Sequence, residues 1–271
     1  MIELMLAPLV AALILVGIHG YLGIHIIARG VIFVDLALAQ VAAFGYTMGT
    51  LLGLAHGSLA AYGLSVGATL LGALVLSFSR IEHEHVTQEA LIGVVYVTAS
   101  AATILLAAQA PRGAEHVEEL LTGTLLWVTW PEILKTGLIY AAVGAIHWFL
   151  HDRFFTISLE PEVAAEKGWR LRSWDFLFYG LFGVVVTSSV EIAGVLVVFS
   201  FLVIPAVIAF LFASRPSALL AIAWTVGTLS TVVGLFASFQ FDLPTGPIVV
   251  CVFALALVVA LLTRRALPSR A

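Results

Sequence analysis

The chain has 271 residues, of which 62% are hydrophobic and 10% charged, and its formal net charge is −4. A soluble domain carries roughly 25% charged residues to cover its surface, so this composition excludes a soluble globule and predicts contact with lipid. The small net charge and the lack of any basic block exclude a nucleic-acid-binding protein, and the single cysteine, Cys251, excludes a disulfide framework.

Nine apolar runs long enough to cross a bilayer follow one another along the chain. A helix needs about 20 residues to cross the ~30 Å hydrocarbon layer. The runs are continuously apolar without a period of two, which favours helices over barrel strands. We therefore expect an all-α, polytopic transmembrane helix bundle that forms a single domain over residues 1–271. The predicted spans are 4–27, 31–54, 59–79, 89–109, 131–150, 174–190, 194–213, 217–238 and 246–263.

The basic residues predict the orientation of this bundle, because cytoplasmic loops carry an excess of Lys and Arg. Nine spans with the C-terminus inside leave only Arg112 and Lys135 on the outer side. The N-terminus is then outside and the C-terminus inside. The basic residues placed in the cytoplasm are Arg29, Arg80, Arg153, Lys167, Arg170, Arg172, Arg215, Arg264, Arg265 and Arg270.

The longest polar segment between spans is the inner loop at residues 151–175. Pro161 suits the first turn of a short helix, with Glu162 near the positive end, and Gly168 is a natural stop. We expect a two-turn helix on the cytoplasmic face. It is either a binding site for a soluble partner or a solvated connector.

Three motifs now stand in order along the chain, and together they resemble one family. The stretch Pro161-Glu-Val-Ala164-Ala-Glu-Lys167-Gly168 is similar to the coupling segment of ABC importer permeases for zinc, manganese and iron. The run from Gly194 to Ile-Pro205-Ala and the segment Asp242-Leu-Pro-Thr-Gly246 also resemble that family. Weaker similarities are Leu120-Leu-Thr-Gly123 and Glu89-Ala-Leu-Ile-Gly93.

The resemblance implies a permease subunit of the bacterial cytoplasmic membrane that imports a divalent transition metal, zinc first and manganese second. It also implies a homodimer, two cytoplasmic ATPase subunits and an extracytoplasmic metal-binding protein. Coupling to the ATPase would fall on Pro161, Glu162, Ala164, Lys167 and Gly168. The chain has no Gly-x-x-x-x-Gly-Lys-Ser/Thr loop, so we expect no ATP hydrolysis and no enzyme activity in it, and no bound cofactor besides the transported metal.

Asp35 and Gln40, in the second predicted span, are the first candidates for contact with the metal. A charged residue inside a bilayer is costly, roughly 2.5–3.5 kcal/mol, and is therefore a candidate functional residue. The resemblance places an aspartate four residues before a histidine on this helix, whereas here Gln40 stands at the histidine position, five residues after Asp35. Five residues are about 140° apart on an ideal helix, so either the helix is distorted or the two residues act separately across the dimer axis. The alternative for Asp35 is a structural pair with Arg29.

Histidines supply the remaining candidates. His83 and His85 precede the fourth predicted span on the inner side, where an emerging ion could meet them; the alternative is a solvated loop, as most short charged loops are. His147 and His151 are four residues apart, a spacing that places two side chains on one helical face and can chelate a metal. An interfacial hydrogen-bonding role is the other reading of that pair.

Two other functions fit the same architecture. An ABC permease for an iron chelate would need a wider pore and usually one more span. A secondary transporter driven by protons or sodium would use Asp35 as its coupling carboxylate, would need no ATPase, and should show internal repeats.

Overall fold

The computed structural model describes residues 2–55, 57–79, 87–109 and 120–266. Within these ranges the chain is helical and contains no strand. A 3-10 turn at Leu125–Trp127 lies between α4 and α5. The helices are α1 (Ile2–Arg29), α2 (Val34–Leu51), α3 (Leu59–Ser77), α4 (Gln88–Ala107), α5 (Trp130–Phe149), α6 (His151–Leu159), α7 (Pro161–Glu166), α8 (Leu171–Phe212), α9 (Pro216–Phe241) and α10 (Thr245–Ala266).

The all-helical prediction is confirmed, and each predicted span coincides with helix. The sixth and seventh predicted spans both fall in α8, which has 42 residues and a non-helical backbone at Gly194, with φ 75° and ψ 159°. Among the described residues, six helices are long and apolar enough to cross a membrane, or seven if α5 and α6, bent by 76°, form one span. Helix α2 is not one of these six or seven. The count of nine spans and the orientation therefore stay predictions.

The described chain folds into two compact units. The first comprises Met1–Ile27, Thr122–Leu138 and Ile192–Ala271, and the second comprises Ala28–Leu121 and Ile139–Glu191. In both units, small residues let the helices pack closely, as is typical of helices in a membrane.

In the first unit, glycines let the backbones of helices approach one another. A Cβ added to Gly23 of α1 would lie 2.0 Å from the Leu202 carbonyl oxygen of α8. The Trp224 indole of α9 donates a hydrogen bond to the Gly17 carbonyl oxygen at 2.9 Å. Phe201 and Phe253 pack edge to face with ring centroids 5.5 Å apart, which joins α8 to α10.

In the second unit, α2 packs against α3 and α4. A Cβ on Gly45 would lie 2.7 Å from the Leu64 carbonyl oxygen, and one on Gly183 of α8 would lie 2.5 Å from the Thr69 side chain. The Thr69 and Thr187 hydroxyls are 3.0 Å apart, so α3 and the first part of α8 share a buried hydrogen bond. Side-chain hydroxyls thus replace water as partners inside this unit.

A buried ion pair holds the end of α1 to the polar segment that follows α5. Arg29 Nη1 lies 2.8 Å from Asp175 Oδ1, and the two side chains are 2% and 0% exposed. Arg29 Nε also donates to Ser158 Oγ at 2.8 Å, and the guanidinium carbon lies 3.9 Å from the centre of the Phe178 ring. One arginine therefore fixes the end of α6 and the start of α8.

Loss of one partner of this pair should destabilise the protein strongly. We expect Arg29→Met to lower the free energy of unfolding by about 3–5 kcal/mol, because it leaves the Asp175 carboxylate buried without its cation. The measurement is denaturant unfolding of the purified chain in detergent.

Arg172→Met is the matched control, because Arg172 is exposed, and it should change the free energy by less than about 0.5 kcal/mol. The double variant Arg29→Met/Asp175→Leu should recover most of the loss. A single Arg29→Met variant as stable as the unmodified chain would contradict a structural role for the pair.

Candidate functional site

Asp35 lies on the first turn of α2 and is fully buried. Neither of its carboxylate oxygens has a hydrogen-bond partner among the described residues. A carboxylate at this position gains from the positive end of the helix. That gain is small compared with the cost of burying an unpaired charge. Asp35 is therefore the buried group of this unit that most needs a cation or a proton.

The start of α2 is held by a second carboxylate. The residue before the helix, Phe33, has no side chain that could cap it, and its backbone N–H donates to Glu89 Oε1 at 3.0 Å. Glu89 is on the first turn of α4 and is partly exposed. Two acidic side chains thus serve the same helix end, one buried and one near the surface. The sequence motif Glu89–Gly93 pointed to Glu89, but its role as a cap depends on a contact between residues distant in sequence.

Within one chain, Gln40 and Asp35 do not lie on the same face of α2. Helix α2 is uninterrupted from Val34 to Leu51, and Gln40 is half-buried. With regular helical geometry, the five-residue separation leaves the two side chains about 140° apart. A distorted helix, one of the two explanations offered by the sequence, is therefore not what the structure has.

The structural alternative for Asp35, a pair with Arg29, is wrong. Arg29 forms its ion pair with Asp175 instead. Sequence reasoning could not choose between the two carboxylates, because Asp175 is 146 residues from Arg29 along the chain and Asp35 only six.

The histidine candidates divide into two groups. His83 and His85 lie outside the described residues. His147 is buried and stacks on Phe154 with ring centroids 4.3 Å apart, whereas His151 is exposed and its Nδ1 lies 2.8 Å from the Trp148 carbonyl oxygen. The expectation that these two share one helical face is wrong, because the chain bends by 76° between α5 and α6.

A preformed metal cluster is not seen in the part of the chain that the structure describes. There, no three His, Cys, Asp or Glu side chains come together as a possible metal-binding group. A metal ion bound by Asp35 would therefore have few other ligands from the described residues of this chain.

The inner segment has the local structure that the sequence predicts. Helix α7 begins with Pro161 at its first position, and Gly168 follows it with φ 71°. Ala164 is fully buried and anchors the helix, whereas Glu162 and Lys167 are exposed. Only a glycine adopts the backbone conformation of Gly168 without strain, which explains the stop. The helix thus presents charged side chains while its apolar side is fixed to the protein.

Three of the sequence motifs meet at one place in the first unit. Gly123, with φ 70°, lies against Ala193 and Gly194, since a Cβ there would be 2.1 Å from the Ala193 carbonyl carbon. Gly246 lies against the chain on the other side, with a would-be Cβ 2.6 Å from the Thr122 carbonyl oxygen. The Thr124 N–H donates to the Ile192 carbonyl oxygen at 3.0 Å. We call this contact of residues 122–124, 192–194 and 246 the motif junction.

The motif junction explains why these motifs contain glycine. The backbones approach so closely that no side chain fits between them. Hydrogen bonds of residues close to Gly246 hold the turn between α9 and α10. Ser238 Oγ donates to the Leu243 carbonyl oxygen at 2.8 Å and lies 2.8 Å from Thr245 Oγ1. The motif residues of this junction are therefore structural, and sequence reasoning alone did not identify that role.

A methyl group at the motif junction should be costly. We expect Gly246→Ala to lower the free energy of unfolding by about 1–3 kcal/mol, because the Thr122 carbonyl oxygen is backbone and cannot move aside. The measurement is thermal or denaturant unfolding in detergent. Gly144→Ala is the control, since nothing lies within 4 Å of a Cβ there, and it should leave stability unchanged or raise it by about 0.5–1 kcal/mol. Equal stability of the two variants would contradict the close contact.

Comparison with known proteins gives similarities along almost the whole chain. The family model described as the ABC 3 transport family matches residues 1–264. The manganese transport system membrane protein MntC of Listeria innocua is 24% identical over 248 residues, which cover 90% of this chain and 85% of that protein. The high-affinity zinc uptake system membrane protein ZnuB of Haemophilus influenzae is 24% identical over 272 residues, 98% of this chain and 100% of that protein.

Other relatives match over a shorter length. The chain spans 62% of the length of the relatives from Chlamydia muridarum and Chlamydia trachomatis, with 24% and 23% identity over 181 residues. Among solved structures, PsaBC from Streptococcus pneumoniae in complex with Fab has a TM-score of 0.80 at 21% identity. The match covers 95% of this chain and 90% of that one, and it shows that the fold is shared.

The helical fold, the order of the motifs and the match of the family model over residues 1–264 lead to one conclusion: the chain belongs to the ABC 3 transport family.

Proposed function

We propose that this chain is the permease subunit of an ATP-driven importer for a divalent transition metal ion, and that Asp35 contacts the ion as it crosses the membrane. The observation that carries the proposal is the fully buried Asp35 carboxylate, without a hydrogen-bond partner among the described residues. A passing cation would supply the charge that this carboxylate lacks.

The two candidate ions are zinc and manganese, and the oxygen donors of Asp35 and Gln40 favour manganese. Carboxylate and amide oxygens suit manganese, whereas imidazole suits zinc. Asp35 and Gln40 offer oxygen, and Gln40 occupies the position where the sequence resemblance expected a histidine. The relatives include a manganese transport protein and a zinc uptake protein, so both ions belong in the assay.

The proposed topology has nine spans, with the N-terminus outside and the C-terminus inside the bacterial cytoplasmic membrane. Helix α8 supports it, because its 42 residues rise about 63 Å at 1.5 Å each, twice the ~30 Å hydrocarbon layer, and Gly194 interrupts the helix near its middle. Helix α2 counts as a span in this proposal despite the buried Asp35. The excess of Lys and Arg in the loops assigned to the inside supports the orientation.

The proposed importer has further subunits. The chain carries no phosphate-binding loop of the Gly-x-x-x-x-Gly-Lys-Ser/Thr type, so a separate ATPase would supply the energy. Helix α7, which exposes Glu162 and Lys167, is the proposed contact for that ATPase. A homodimer of this chain and an extracytoplasmic metal-binding protein complete the proposed assembly.

Removal of the Asp35 charge tests the proposal. We expect Asp35→Asn, reconstituted with its ATPase and binding protein, to lose at least about tenfold in the rate of ATP-dependent zinc or manganese uptake, because an uncharged amide cannot offset the charge of the ion. The measurement is metal uptake into proteoliposomes. Asp152→Asn is the matched control, since that carboxylate is 89% exposed on α6, and it should retain normal uptake.

The same assay separates the rival functions. Uptake that does not depend on ATP and is driven by a proton or sodium gradient would contradict this proposal. It would indicate a secondary transporter in which Asp35 is the coupling carboxylate. ATP-dependent uptake that Asp35→Asn leaves unchanged would keep the permease and remove Asp35 from the path.

Charge reversal on α7 tests the contact with the ATPase. We expect Glu162→Lys to weaken association with the ATPase roughly tenfold while the free energy of unfolding stays within about 0.5 kcal/mol, because the side chain is exposed. Co-purification and the metal-stimulated ATPase rate are the measurements. Asp152→Lys introduces the same charge change outside α7 and should associate normally. Equal loss in both variants would show general electrostatics instead of a contact at α7.

A further inference from the structure

A basic cleft lies beside α7 in the second unit, and neither the motifs nor the proposed transport path uses it. Its volume is about 440 Å³. Its walls come from α6, from the residues that follow α7, and from the first two turns of α8. The lining residues are Arg153, Trp169, Arg170, Ser173, Trp174 and Leu177.

Aromatic rings hold one arginine of this cleft in place. The Arg153 guanidinium carbon lies 5.4 Å from the centre of the Trp169 ring and 5.0 Å from that of Trp174. A cation–π contact with two rings restrains a guanidinium group and uses none of its N–H donors. Arg153 is therefore oriented without using the donors that recognise an oxyanion.

Among the described residues, none with a negative charge lines the cleft. None of its six lining residues is acidic, and in the described part of the chain neither Arg153 nor Arg170 forms an ion pair with a carboxylate. Ser173 also lines the cleft and lies in the first turn of α8, at the positive end of that helix. Two guanidinium groups, a hydroxyl and a helix N-terminus together match a phosphate group.

The apolar part of the cleft indicates where that phosphate comes from. Leu177 lines the cleft, and α8 continues from it as an apolar helix long enough to cross a membrane. Phe176, on the same turn, is 39% exposed. Tryptophan at the end of such a helix is typical of the level of the lipid headgroups. A phospholipid would place its phosphate between the arginines and its acyl chains along α8, which a free phosphate cannot do.

We propose that this cleft binds the headgroup of an anionic phospholipid. Arg153 and Arg170 contact the phosphate, Trp169 and Trp174 orient Arg153, and Leu177 contacts the first part of an acyl chain. Because the cleft adjoins α7, the bound lipid would fill the space between the segment proposed to contact the ATPase and the start of α8.

The test is native mass spectrometry of the purified full-length chain, titrated with phosphatidylglycerol. We expect the unmodified chain to bind one phosphatidylglycerol more tightly than phosphatidylcholine. Arg153→Gln/Arg170→Gln should weaken that first binding event roughly 30-fold, on the scale of two arginines at a membrane surface. Arg172→Gln/Arg265→Gln removes the same charge at two exposed positions outside the cleft and should bind normally.

Four results would overturn the proposal. Normal binding by Arg153→Gln/Arg170→Gln would place the lipid elsewhere, and equal weakening in the control would show diffuse surface charge. Full displacement of the lipid by millimolar inorganic phosphate would show an anion site without a lipid contact. Normal lipid binding together with loss of ATPase association in the cleft variant would assign the two arginines to a protein partner.

Discussion

Most of this protein's surface faces lipid or other helices, so a charged side chain there cannot be solvated by water. This constraint on charged side chains determines much of the structure. A charged side chain placed away from water needs a cation, an anion or a set of hydrogen bonds, because an isolated ion in a medium of low dielectric is very costly. Only 10% of the residues are charged, so few charges need such partners. The buried charged residues differ in whether they have one. Arg29 and Asp175 neutralise each other, and Arg29 also donates to Ser158 Oγ and lies over the Phe178 ring. Neither carboxylate oxygen of Asp35 has a hydrogen-bond partner among the described residues, and this difference is the ground for the role proposed for Asp35.

The same constraint explains how the helices pack. Without a hydrophobic drive between helices in lipid, close contact must come from small residues and hydroxyl groups. The motif junction shows this most clearly, because Gly123 and Gly246 bring three distant parts of the chain into backbone contact. The glycines of these sequence motifs are thus explained, at least in part, by close backbone contact and not by a direct role in transport. The charged and exposed residues of α7, by contrast, are not needed for packing, which favours a role in contact with a partner.

The sequence predicted the class of fold because hydropathy acts over about 20 residues at a time and does not depend on tertiary contacts. It also predicted the short helix at Pro161–Glu166, because Pro161 and Gly168 act locally on the backbone. It did not predict that Arg29 chooses Asp175, that Glu89 caps α2, or that His147 and His151 lie on separate helices. These features depend on contacts across 56 or 146 residues, or on a bend at one position, and neither has a periodic signal. Asp35 was a candidate because a charge in an apolar run is conspicuous, but only the structure shows that its carboxylate is buried without a partner among the described residues.

Contact between Asp35 and the ion can be observed in a structure of the permease bound to its ATPase and trapped with manganese, in which the anomalous signal of the metal locates the ion. We expect a manganese peak in direct coordination contact with a carboxylate oxygen of Asp35 in at least one trapped state. A manganese ion bound elsewhere along the path, with Asp35 still enclosed by protein in every state, would contradict this expectation.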